Sequence, residues 1–122
     1  MDNLGELQKR LREFAHERDW EQFHSPKNLS MALIVEAAEL VEHFQWLTPE
    51  QSHNLPEKIR REVELEMADV FIYLLRLADL MGVDLVEASN RKIAINAEKY
   101  PAPTVRGRAD KNNSRARKLH SD

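Results

Sequence analysis

Apolar residues recur along this chain at intervals of three and four, the period of a helix with one buried face. Leu4, Leu7, Leu11 and Phe14 form such a stripe and predict a first helix over about Leu4 to Asp19. A loop follows through Trp20 to His24. Ser25-Pro26 then reads as a helix opening, because serine can accept from the free amides of a first turn while proline has no amide to leave unsatisfied. The apolar-rich stretch from Leu29 to Trp46 continues from it. Thr48-Pro49-Glu50-Gln51 repeats the opening signal for a short turn. The longest helix is expected from Glu57 to Met81, about 37 Å at ~1.5 Å per residue, ended by Gly82. Asp84-Leu85-Val86-Glu87 has the capping-box pattern and starts a last helix that Tyr100-Pro101 closes. No convincing strand is present, so the fold class is all-α.

Acidic side chains interrupt two of these apolar helices. Glu36 and Glu39 lie three residues apart, flanked by Ala32, Leu33, Val35 and Leu40. Glu66 and Asp69 repeat the spacing and are followed by Val70, Phe71, Leu74 and Leu75. At about 100° per residue, Glu62, Glu66, Asp69 and Tyr73 fall within a sector of about 60°. If the two helices pack antiparallel, four carboxylates converge. Two like charges about 4 Å apart repel by about 4 kcal/mol at an effective dielectric near 20, so such a group needs protons or a cation. The chain has no cysteine, which leaves oxygen or imidazole as ligands. Oxygen ligands favour a hard divalent ion, Mg²⁺ first with Mn²⁺ as substitute, and therefore chemistry at phosphorus.

Glu62 and Glu64 read as ordinary surface partners of Lys58 and Arg60. Glu13-x-x-His16 and Glu50-x-x-His53 match a di-iron pattern by letters, but neither lies in an apolar helix. Trp20 and Trp46 border loops, where an indole can stack on a nucleobase or close the core. Lys92, Asn96 and Lys99, spaced four and three apart, could face phosphate or sugar or simply form a solvated face.

At 122 residues the chain fits one domain with a small core that oligomerisation would help. Residues 101–122 carry six basic side chains against two acidic, while the preceding hundred carry twelve against nineteen. An acidic body argues against binding a nucleic-acid polymer through its phosphates. A domain over 1–103 and a basic tail over 104–122 are expected. Neither a membrane span nor a signal peptide is evident, and a cytoplasmic location follows as the expectation.

Glu36-x-x-Glu39, 26 intervening residues and Glu66-x-x-Asp69 resemble the signature of the MazG-like nucleotide pyrophosphohydrolases. Further matches are similar to the dCTP pyrophosphatase branch: the run from Phe14 to His24, Pro26-x-Asn28-Leu29, Phe44-Gln45-Trp46, Asp69-Val70-x-Ile72-Tyr73-Leu74 and Asn96-x-x-x-Tyr100-Pro101. The resemblance covers residues about 4 to 111. It implies a four-helix-type bundle assembled as a dimer of dimers, a homotetramer whose site is lined by more than one subunit. It implies Mg²⁺ on Glu36, Glu39, Glu66 and Asp69, with Glu39 as base or orienter of the attacking water. Trp20 and Trp46 would enclose cytosine, Tyr73 would support the sugar, and Lys92, Asn96 and Lys99 would contact phosphates. The implied activity is hydrolysis of dCTP and modified dCTP to monophosphate and pyrophosphate. A broader enzyme acting on dUTP and other dNTPs, and a non-catalytic helical interaction module, are the rival readings. Val35 stands where the wider family often has a third acid, and Leu11 where some relatives place a histidine near the base.

Overall fold

Side-chain caps open three of the helices. A computed structural model describes residues 3–108. Helices α1 (Asn3–Glu17), α2 (Pro26–Glu42), α3 (Pro49–Ser52), α4 (Glu57–Met81), α5 (Leu85–Lys99) and α6 (Ala102–Val105) follow in order, with a 3-10 turn over Glu21–Phe23. There is no strand among the described residues. Ser25 accepts from the Asn28 amide at 3.1 Å and Pro26 is the first residue of α2. Thr48 and Gln51 cap each other reciprocally around Pro49, the arrangement the sequence predicts.

Helix α2 ends at Glu42, four residues before the predicted Trp46. His43 and Phe44 bond back three residues, to the Leu40 and Val41 carbonyls, which tightens the helix into turns. Thr48 must be extended, with ψ 160°, to cap α3 ahead of Pro49, so the chain leaves helical geometry before reaching it.

The described residues form two compact units, one ending at Val83 and the other starting at Asp84. In the first, α4 packs against α2 and α1. Its core is Ala15, Leu29, Val63, Leu75 and Ala78, with Leu29 and Leu75 completely enclosed. Each such leucine contributes about 1.5–3 kcal/mol by leaving water. The Gln8 amide donates to the Leu75 carbonyl at 3.4 Å, and Arg12 pairs with Asp79 at 2.8 Å, fixing α1 on α4.

Gly82 ends α4 in the left-handed region at φ 65°. A Cβ there would meet no atom within 4 Å, so Gly82→Ala introduces backbone strain without a clash. We expect a loss of about 1–2 kcal/mol, read as a lower urea midpoint with unchanged slope.

In the second unit Asp84 accepts from the Glu87 amide at 3.0 Å and opens α5. Helix α6, which the sequence signals do not predict, straddles the expected boundary between the 1–103 domain and the tail. Residues 109–122, with Lys111, Arg115, Arg117 and Lys118, lie outside the described residues. Among the described residues no helix is long and apolar enough to cross a membrane.

Candidate active site

The packing of α2 on α4 brings acids from both helices together. Carboxylate oxygens of Glu36, Glu39 and Glu66 all lie within 4.8 Å of one another, and all three residues are half-buried. Oε2 of Glu36 and Oε2 of Glu66 are enclosed with no hydrogen-bond donor. An acceptor shut away from water without a donor loses about 1–3 kcal/mol, more if it is charged. The Glu36 carboxyl is accordingly pushed up to about 7. Loss of water is the largest cause, then hydrogen bonding with Glu39 and its charge, then the charges of Asp69 and Glu66. Glu66 is also raised, by loss of water first and then by the Glu39 charge. Asp69 is exposed and stands outside the tight group, yet its charge acts on both raised acids. Orphaned oxygens and an oxygen-only donor set fit a hard divalent cation, which would satisfy the acceptors and offset the repulsion.

Asp69 also lines a cavity of about 340 Å³. Leu11, Phe14, Ala15, Trp20 and Ile72 give it apolar walls, and the polar remainder is Asp69, Tyr73, His24 and Arg76. The turn after α1 positions Trp20. Asp19 takes φ 54°, a conformation that Asp tolerates better than most residues, and the Trp20 amide donates to the Ala15 carbonyl at 2.9 Å. The indole then meets Phe14 edge to face, with ring centres 5.7 Å apart. Planar aromatic walls beside a few polar groups suit a flat heterocycle.

Of the other predicted site residues, Trp20 and Tyr73 reach this cavity, while Trp46 does not line it and is 87% exposed. Lys92, Asn96 and Lys99 share one face of α5 in the second unit, the lysines exposed and Asn96 half-buried. The Lys99 Nζ lies 5.6 Å from the centre of the Tyr100 ring. His43 is the C-cap of α2, and His16 pairs with Glu21 at the surface at 2.8 Å. Sequence reasoning missed His24 and Arg76. The available signal was Arg76 itself, a cation set between Leu75 and Leu77 that extends the stripe of Glu66, Asp69 and Tyr73 by three residues.

The model of the MazG-like family matches residues 31–113, the segment that supplies all four acids. The chain belongs to the MazG-like family. This MazG-like chain is 43% identical over 110 residues to dCTP pyrophosphatase 1 of Mus musculus and 42% identical to that of Homo sapiens. These matches cover 88% of the chain but 65% of each relative, so the chain spans just under two thirds of their length. It is also similar to the crystal structure of a pyrophosphatase from Archaeoglobus fulgidus, with a TM-score of 0.79 and 42% identity, covering 83% of this chain and 94% of that one. The all-α MazG-like fold is therefore common to both.

Proposed function

We propose that this MazG-like chain hydrolyses deoxynucleoside triphosphates, dCTP and modified dCTP first, to monophosphate and pyrophosphate, and so clears the nucleotide pool. The observation that carries the reading is the junction at Asp69, where a group of under-satisfied carboxylates adjoins an aromatic-walled cavity. Its likeness to dCTP pyrophosphatase 1 supports the choice of substrate.

In this reading Glu36, Glu39, Glu66 and Asp69 hold Mg²⁺, or Mn²⁺ in its place. The bound ion supplies positive charge against the triphosphate oxygens and favours ionisation of water. Glu39 receives the proton of the attacking water. That water's oxygen bonds to the α-phosphorus as the bond from α-phosphorus to the α,β-bridging oxygen breaks, and pyrophosphate leaves. Trp20 packs on the base and Tyr73 supports the sugar. Lys92, Asn96 and Lys99 serve the phosphates.

Assembly completes the proposal. Met31, Ile34, Val35 and Val41 on α2 are each more than half exposed, as are Leu65 and Met67 on α4. So much uncovered apolar surface on one small domain favours association. A homotetramer built as a dimer of dimers from the 1–103 domains covers these residues and gives Trp46 a neighbouring subunit's base to enclose.

The test is to supply each dNTP with Mg²⁺ in ¹⁸O-labelled water and follow pyrophosphate. Release from dCTP with the label in dCMP is expected. Failure of the folded protein to release pyrophosphate from any dNTP would overturn the proposal, and label in pyrophosphate would move the attack to another phosphorus.

A further inference from the structure

Arg76 is 7% exposed, the one charged residue that is buried among the described residues. It sits in an apolar stretch of α4 and lines the cavity rather than the acid group. A guanidinium has five N–H donors and no acceptor, so enclosing one is costly unless acceptors meet it. Its Nε donates to Nδ1 of His24 at 3.2 Å. Because the guanidinium cannot accept, His24 must present a bare Nδ1 and carry its ring proton on Nε2. Burial and the nearby Arg76 charge, opposed by Glu21, hold His24 below the usual imidazole range and keep that nitrogen bare. Asp79 approaches Nη1 only at 3.6 Å, and Asp79 already has Arg12 at 2.8 Å. Among the described residues no hydrogen bond is made from the two Nη groups.

We propose that Arg76 is the base-reading residue of this site: its Nη fork donates to the adjacent O2 and N3 acceptors of cytosine. The inference rests on the dNTP reading above and deepens it. Uracil and thymine present a donor at N3, which would oppose the fork, so the arrangement separates dCTP from dTTP and dUTP. His24 holds the fork in plane by occupying Nε, and Trp20 covers the ring face. The competing explanation is an ion pair that braces α4, but Asp79 meets Arg76 only at 3.6 Å through Oδ2 and makes its close pair, at 2.8 Å through Oδ1, with Arg12.

The experiment compares kcat/KM for dCTP, dTTP and dUTP in wild type, Arg76→Met and Arg76→Lys, with thermal midpoints alongside. Wild type should favour dCTP. The methionine variant should lose about ten- to hundredfold on dCTP, mainly through KM, and change less than threefold on the other two, as expected for loss of a bidentate pair. Lysine should not restore the preference, since it offers a point charge and no fork. A preference for dCTP that survives in Arg76→Met, or is missing in wild type, overturns the inference, as does an equal loss on all three nucleotides. Should that variant not fold, wild type labelled with ¹⁵N-arginine gives the answer. dCMP should shift a guanidinium resonance that dTMP leaves in place, and equal responses to both overturn the proposal. A wild type inactive on every dNTP condemns the parent reading instead.

Discussion

Replacing Glu39 by glutamine is expected to slow pyrophosphate release from dCTP by about 10²–10⁴-fold, the range for loss of a positioned proton acceptor. Glutamine keeps the shape and removes the charge, so helicity by circular dichroism should be unchanged. Glu39 contributes to raising both Glu36 and Glu66. Its neutralisation should therefore make the metal-free protein slightly more heat-stable at pH 8 while stopping turnover. A variant with near-normal rate would place the chemistry elsewhere.

The second large effect concerns pH and metal together. Glu36 ionises near 7 in the fold against an ordinary 4.5, so the folded chain holds this proton more tightly than the unfolded chain does. Its stabilising contribution is complete below about 4.5 and disappears as pH rises through about 7. The full shift would correspond to roughly 3 kcal/mol, and partial exposure of the carboxyl reduces the expectation to about 1–2 kcal/mol. Without divalent cations, wild type should thus lose stability relative to Glu36→Gln between pH 5 and pH 8. Adding Mg²⁺ at pH 8 should recover the loss in wild type and do less for the glutamine variant, because a cation favours the ionised cluster. Calorimetric melting of both proteins with EDTA or Mg²⁺ checks this, and parallel curves at all pH values would contradict it.

Much of the helical frame was legible because its signals are local. Ser25-Pro26, Thr48-Pro49 and Asp84 act within one turn of themselves, and α4 starts and stops at the predicted Glu57 and Met81. The acid pairs were legible for a related reason: charge inside an apolar period stands out wherever the helix is later packed. The end of α2 was not, since Phe44 and Trp46 extend the apolar composition while the capping need of Thr48 turns the backbone away. Arg76 escaped notice because one cation among leucines reads as a solvated residue until His24, 52 positions away in sequence, is found against it. The exposure of Trp46 depends on packing that composition does not encode.

Glu66, Asp69, Tyr73 and Arg76 all project from a single uninterrupted helix without a glycine or proline between them. At ~1.5 Å per residue, Asp69 and Arg76 are separated by roughly 10 Å along its axis. Under the proposed roles of Asp69 and Arg76, helix α4 works as a ruler, whose graduations set how far a ligand's reacting end may stand from the end that is recognised. Its length standard is the backbone hydrogen-bond ladder itself, so this spacing does not depend on how the neighbouring side chains pack.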